Sequence, residues 1–139
     1  LITKEEIKAN PVMKGTELAV RELKEGEAYT INDILFATNS YALNEKSKFI
    51  LKQFARFLNE NPTITIMIQG HTDDVGDDAQ NMELSNDRAD EVKRFLQSLG
   101  IDGSRLTAQG FGETKPKVPN TDAAKRAINR RTDFMIQQL

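Results

Sequence analysis

The stretch TITIMIQGHTDDVGDDAQNMELSNDRADEVKRFLQSLG, residues 63–100, decides the fold. Isoleucines alternate with other residues through 63–69, which predicts a half-buried strand. A polar loop with two glycines follows. The pattern of 81–100 then predicts a helix that Gly100 ends in a left-handed conformation. A strand, a polar loop and an amphipathic helix in this order are typical of an α/β unit.

One arginine interrupts the apolar face of the predicted second helix. Its apolar residues share a face roughly 120° wide at ~100° per residue; they are Leu84, Val92, Phe95, Leu96 and Leu99. By the same geometry Arg88 projects near the middle of this face. A guanidinium in that position must reach solvent, pair with a carboxylate or bind an anionic ligand.

The rest of the chain continues the alternation of strands and helices. The predicted strands are 29–36, 63–69, 104–111 and 130–138, and the predicted helices are 45–61, 81–100 and 121–129. Asn44 is expected to cap the first helix. The apolar face of that helix is predicted to hold Phe49, Ile50, Phe54, Phe57 and Leu58. The fold class is α/β (α+β), a βαβαβ(α)β mixed four-stranded sheet with helices packed on one face.

Length and composition suit one globular domain, since 139 residues carry 38% hydrophobic and 29% charged side chains. Residues 1–28 are expected to be a lead-in or linker, with a strand in 16–23 that can be the end of a preceding domain. Residues 29–139 are expected to form the domain. The start at Leu1 without Met leads us to expect a fragment of a longer processed protein. No apolar run approaches ~18 residues, so we expect no membrane insertion by this fragment.

Charge and residue usage exclude several classes of function. A net charge of −2 with two Tyr and no Trp predicts no affinity for nucleic acid. The absence of Cys excludes disulfides, thiol catalysis and thiolate metal sites. The acidic loop that begins at Asp73 does not fit a calcium-binding EF-hand, because Val75, Asp78 and Leu84 occupy the third, sixth and twelfth positions. We therefore expect no metal and no cofactor.

The sequence also lacks the groups of a hydrolase. His71 is the single histidine and lies two residues before Asp73, but no serine stands in a nucleophile-elbow context. We expect a hydrogen-bonded structural role for His71 and no enzymatic activity.

Polar residues at the carboxyl end of the second predicted strand suggest a binding site. Thr72, Asp73 and Asp74 stand where ligands bind in open α/β sheets, and Arg88 on the next helix could face Asp73 across a small pocket. A carboxylate accepts hydrogen bonds from an ammonium, and a guanidinium donates two parallel bonds to a carboxylate. The pair therefore suits a zwitterion such as an amino acid, with Asn81 capping the helix or contacting the ligand. A structural Asp73–Arg88 ion pair that closes the loop onto the helix is the alternative.

The motifs GHTDDVG, LSNDRADEV, GFGETKP and NRRTDF, with ILFATNSYALN upstream, closely resemble the OmpA C-terminal-like domain family. That family includes the peptidoglycan-associated lipoproteins and the periplasmic domains of flagellar stator proteins. The resemblance implies a non-enzymatic module that binds peptidoglycan without a covalent bond, chiefly through the meso-diaminopimelate of the stem peptide. It also implies that the module anchors an outer-membrane protein or lipoprotein to the cell wall, on the periplasmic side of the outer membrane of a Gram-negative bacterium.

The same resemblance implies individual site residues. Asp73 and Arg88 fall on the family residues that bind the amino and carboxylate ends of diaminopimelate. Three further positions match the lining of the family's pocket: Asn39, Thr72 and Asn81. Arg130 matches an arginine near that pocket, with a salt bridge to the loop acids as its alternative role.

Two departures from the family pattern leave a second function open. Ala37 stands where the family usually has Asp after the Phe, and Lys125 precedes Arg126 where the family often has Gly-Arg. The loss of one carboxylate is compatible with a protein–protein adaptor domain of an envelope complex for secretion or motility. Such a domain would have other envelope proteins as partners and weak or no wall binding.

Overall fold

The computed structural model describes residues 23–36 and 39–139. In chain order, its elements are β1 (Ala28–Ile31), α1 (Glu45–Glu60), β2 (Thr65–His71), α2 (Asp78–Ser98), a 3₁₀ turn (Gly103–Arg105), β3 (Leu106–Gly110), α3 (Ala123–Asn129) and β4 (Arg131–Gln138). Residues 16–22 of the expected lead-in strand, and Ala37, lie outside the described residues. The expectations about them remain predictions.

The four strands form one mixed sheet in the order β1-β4-β2-β3. β2 is parallel to β3 and antiparallel to β4, and β1 is antiparallel to β4. Because β2 and β3 are parallel, α2 must carry the chain back along the sheet between them. The predicted mixed sheet and its βαβ core are confirmed.

The hydrophobic core lies between α1, α2 and one face of the sheet. The ring centroids of Phe54 on α1 and Phe134 on β4 are 4.9 Å apart. Alternate residues of the two central strands face this core, and Ile66, Ile68 and Ile136 are fully buried. Leu23 is also buried, and the Gly26 amide donates to the Ile136 carbonyl at 2.7 Å, so residues 23–27 of the expected lead-in pack against the domain.

The first strand is shorter than predicted. β1 ends at Ile31, whereas the sequence predicted a strand over 29–36. Asp33 has φ +65°, a left-handed conformation that does not continue a strand. Between β1 and α1, the described residues form one isolated bridge, between Phe36 and Leu43. The segment that follows β1 therefore leaves the sheet and is available to form one wall of a cavity.

Helix α1 begins at the predicted residue and ends one residue earlier than predicted, but its buried face is different. The Asn44 side chain accepts a hydrogen bond from the Ser47 amide at 2.7 Å, which confirms the predicted cap. Phe49 was predicted to be in the core but is 61% exposed. At about 100° per residue Phe49 projects roughly opposite Leu58, so the two cannot share a face. Leu51 takes the core position instead.

Helix α2 begins at Asp78, three residues before the predicted start at 81. The reason is its cap, since the Asp77 side chain accepts from the Gln80 amide at 2.9 Å. Gly100 has φ +97°, as predicted for the residue that follows the helix. No helix in the described part of the chain has the length and apolar character needed to cross a bilayer.

The buried stripe of α2 differs from the predicted one. Its fully buried residues are Ser85, Ala89, Val92 and Leu96. Arg88 was predicted near the middle of the apolar face but lies at its edge and is half-buried. The first half of the stripe holds the small residues Ser85 and Ala89, because α2 lies close to the sheet there and an arginine would not fit underneath it.

Two glycines allow this close approach of α2. A Cβ on Gly70 of β2 would be 2.4 Å from the Ser85 carbonyl oxygen, and one on Gly110 of β3 would be 2.2 Å from the Asn86 amide nitrogen. Real Cβ atoms do not come this close to backbone atoms. The Ser85 hydroxyl also accepts from the Gly112 amide at 2.9 Å. These contacts fix Arg88, one turn further along α2, relative to the loop that follows β2.

Candidate ligand-binding site

A cavity of about 1020 Å³ opens at the carboxyl end of β2. Its wall comes from the segment after β1, the loop after β2, the first half of α2 and the junction of α3 with β4. Six of the residues that the sequence predicted at the site line it, namely Asn39, Thr72, Asp73, Asn81, Arg88 and Arg130, whereas Asp74 is exposed and does not. The fold therefore brings side chains that are up to 91 positions apart in sequence (39 to 130) to one cavity.

Asp73 is held rigidly in the cavity wall. The residue is 8% exposed, its Oδ1 accepts from the Val75 amide at 3.0 Å, and its Oδ2 accepts from Arg130 Nη1 at 2.6 Å. An ionised carboxylate has about four acceptor positions, so two remain for a ligand donor. A salt bridge to the loop acids was the alternative predicted for Arg130, and the structure contains it.

The ion pair between Asp73 and Arg88, which was the structural alternative to ligand binding, is not formed. Within the described residues, the ion-pair partner of Asp73 is Arg130, whose side chain is 51% exposed. The structural alternative for the Asp73–Arg88 pair is therefore wrong in its choice of partner. The sequence could not distinguish the two arginines, because the position of Arg130 depends on where β4 enters the sheet.

Arg88 is half-buried and lies near a second positive charge, that of Arg130. Its Nε donates to the Ser40 carbonyl at 2.9 Å, and its guanidinium carbon lies 4.9 Å from the centre of the Phe36 ring. Burial, and secondarily the positive charge of Arg130, lowers the pKa of Arg88. A guanidinium stays charged at neutral pH even so. An anion in the cavity would offset both effects.

The remaining predicted residues shape the site in different ways. The Thr72 hydroxyl donates to the Asp73 carbonyl at 2.8 Å, and the Asn81 side chain donates to the Val75 carbonyl at 3.0 Å, so both stabilise the loop after β2. The predicted capping role of Asn81 is wrong, since Asp77 is the cap. Asn39 is exposed at the rim with φ +55°, a conformation that Asn tolerates better than most residues.

His71 has no hydrogen bond, contrary to the prediction. Neither ring nitrogen has a hydrogen-bond partner within residues 23–36 and 39–139. Its ring stacks on Phe111 with centroids 5.4 Å apart, and its Nε2 is 3.7 Å from Asp133 Oδ2. Burial, reinforced by Arg131, lowers the pKa of His71 to about 4. His71 is therefore neutral at physiological pH.

The stability of the domain should fall on mild acidification because of His71. The pKa of His71 is 6.5 in the unfolded chain and about 4 in the folded domain. The stability that comes from keeping His71 neutral is therefore fully present above pH 6.5 and is lost as the pH falls towards 4. We expect the free energy of unfolding to be about 2 kcal/mol lower at pH 5 than at pH 7.5. Urea unfolding at both pH values measures this difference. His71→Phe keeps the ring stacking, and the same loss in that variant would contradict the assignment.

Sequence reasoning missed three residues that shape the cavity. Ser40 and Phe36 orient Arg88, the first through a backbone carbonyl that no residue pattern could indicate. Ser85 connects α2 to the loop after β3 through its hydrogen bond with the Gly112 amide. A serine on the buried face of a predicted helix was the sequence feature that could have indicated this contact. The described chain contains no group of three or more acidic, His or Cys side chains placed to hold a metal ion.

Comparison with known proteins agrees with this architecture. The model of the OmpA family matches residues 35–130. Outer membrane porin F of Pseudomonas fluorescens is 37% identical over 105 residues, which are 76% of this chain and 32% of the porin. The peptidoglycan-associated lipoprotein of Burkholderia pseudomallei superposes with a TM-score of 0.68 at 35% identity, covering 75% of this chain and 88% of that one. A putative MotB-like protein from Desulfovibrio vulgaris gives 0.73 at 32% identity, covering 81% and 73%.

The chain belongs to the OmpA family. It is an OmpA-like domain homologous to peptidoglycan-associated lipoproteins and MotB-like proteins. The predicted family and fold class are confirmed. The chain spans about a third of the length of the porin F that it matches, 32%.

Proposed function

We propose that this domain binds peptidoglycan non-covalently through the meso-diaminopimelate of the stem peptide. The observation that carries the proposal is the presence of Asp73 and Arg88 in the wall of one cavity, each held by protein contacts before any ligand arrives. The free end of diaminopimelate in a stem peptide carries one ammonium and one carboxylate. The ammonium would donate to Asp73 and the carboxylate would accept from Arg88.

The electrostatics of the cavity support this orientation of the ligand. Arg88 is half-buried next to a second arginine, so a carboxylate beside it relieves repulsion as well as forming hydrogen bonds. Asp73 already accepts one bond on each oxygen, and an ammonium can use the lone pairs that remain. A ligand with only one of the two charges would leave half of the arrangement unused.

The proposed role in the cell is attachment. Relatives of the chain are named as an outer membrane porin and as peptidoglycan-associated lipoproteins. A domain of this kind would anchor an outer-membrane protein or lipoprotein to the cell wall, from the periplasmic side of the outer membrane of a Gram-negative bacterium. The competing role is that of an adaptor that binds envelope proteins and not the wall.

Co-sedimentation with purified sacculi tests the proposal. We expect the domain to sediment with sacculi that contain diaminopimelate and to be released by soluble muropeptides. Sacculi that contain lysine lack the carboxylate for Arg88, so binding to them should be at least about tenfold weaker. Equal binding to both kinds of sacculi would contradict recognition of diaminopimelate. No binding to either kind would favour the adaptor role.

A further inference from the structure

A fourth arginine of the cavity, Arg126, has no assigned role. It lies in the last turn of α3, and Arg130, the residue that follows this helix, donates its backbone amide to the Arg126 carbonyl. It lines the same cavity as Asp73 and Arg88 and is half-buried. Its position at the cavity wall thus places an additional positive charge beside the proposed diaminopimelate site.

The other arginines that line the cavity are engaged by the protein. Arg130 binds Asp73, and Arg131 donates to Asp133 at 3.1 Å. Arg88 donates to Ser40. Across the part of the chain that the structure describes, the guanidinium of Arg126 has no hydrogen bond, ion pair or ring contact. A structural arginine looks different, since Arg105 donates to three backbone carbonyls: Leu58, Asn61 and Ile64.

The size of the cavity leaves space for more than one amino acid. A volume of about 1020 Å³ is at the upper end of what pockets for drug-sized ligands occupy. A stem peptide extends beyond the free end of its diaminopimelate and carries further carboxylates, one on its γ-linked glutamate and one on its terminal alanine. Such a carboxylate would meet a guanidinium that is partly desolvated and not yet paired.

We propose that Arg126 binds a second carboxylate of the stem peptide, beyond the one bound by Arg88. The inference rests on the proposed peptidoglycan function and extends it. The affinity of the domain would depend on whether a second stem-peptide residue, next to the diaminopimelate, carries a free carboxylate. Amidation of the carboxylate that Arg126 binds would then weaken wall binding, whereas amidation of the other would not.

Titration calorimetry with three synthetic peptides tests the inference. The first is L-alanyl-γ-D-glutamyl-meso-diaminopimelyl-D-alanine, the second has the glutamate carboxylate amidated, and the third has the terminal alanine amidated. We expect Arg126→Gln to bind the first peptide about fivefold to tenfold more weakly than the wild type. Lys125→Gln is the matched control, because Lys125 is exposed and does not line the cavity, and it should bind like the wild type.

The amidated peptides identify the carboxylate and separate the possible failures. In the wild type, one amidation should reproduce the loss caused by Arg126→Gln, and that peptide should bind the wild type and the variant equally. If Arg126→Gln changes the affinity for all three peptides equally, or for none, the inference is wrong while the proposed function stands. If the wild type binds none of the peptides, both are wrong.

Discussion

Replacing Arg88 with alanine should reduce binding to diaminopimelate-containing sacculi by about 30-fold to several-thousandfold, and so should Asp73→Ala. Removal of one member of a desolvated charge pair costs about 2–5 kcal/mol of binding free energy, and 1.4 kcal/mol corresponds to tenfold. Arg88 is the direct test of the two, because Asp73→Ala also removes the partner of Arg130. Co-sedimentation measured at several protein concentrations gives the affinities.

The fold of both variants should survive these substitutions. Arg88 is half-buried at the edge of α2, and Arg130 is 51% exposed, so solvent can replace the lost contact of its guanidinium. We expect both variants to keep a cooperative thermal transition. Lys52→Ala is the control, since Lys52 is exposed on α1 and should leave binding unchanged. Wild-type affinity in a folded Arg88→Ala variant would refute the assignment of the carboxylate to Arg88.

The largest expected effect on stability is that of Gly110→Ala. A Cβ at this position would lie 2.2 Å from the Asn86 amide nitrogen and 2.3 Å from Ser85 Oγ. Backbone atoms in the middle of a helix cannot move alone, so α2 would have to shift away from β3. We expect the free energy of unfolding to fall by about 3 kcal/mol or more. Urea denaturation of purified wild type and variant measures this.

Gly103→Ala provides a matched control for Gly110→Ala. A Cβ on Gly103 would meet the Gln97 side-chain nitrogen at 2.5 Å, a comparably short distance. The end of a flexible side chain can rotate away, however, and the expected change is within about 1 kcal/mol. The comparison therefore shows whether a short contact destabilises the domain only when it is made with rigid backbone atoms, or also when it is made with a flexible side chain. Equal destabilisation by the two substitutions would contradict the conclusion that α2 packs on β3 through close backbone contact at Gly110.

Residue type and spacing correctly predicted the features that depend on interactions within a single helix or strand. The cap at Asn44 and the left-handed Gly100 were found from residue type alone, because each acts on its own helix. The alternation of isoleucine in β2 identified a core strand correctly. The prediction failed for Phe49, because at about 100° per residue this side chain projects away from the face that holds Leu58.

Features that depend on distant parts of the chain were not accessible from the sequence. The choice of Arg130 over Arg88 as the partner of Asp73 follows from the antiparallel pairing of β4 with β2, in which His71 lies opposite Arg131. Arg88 lies at the edge of the buried stripe of α2 because the glycines of β2 and β3 allow the helix to pack close to the sheet. A residue pattern indicates which side of one helix or strand is buried. It does not indicate how two such elements pack against each other, and both of these features depend on that packing.

The most direct test of the central claim is a crystal structure of the domain soaked with a stem-peptide fragment that ends in meso-diaminopimelate. We predict electron density in the cavity at the end of β2, with the ammonium within hydrogen-bond distance of Asp73 and the carboxylate on Arg88. Diaminopimelate bound elsewhere, or bound with its carboxylate away from Arg88 while Arg88 keeps only its contacts to the protein, would contradict the account.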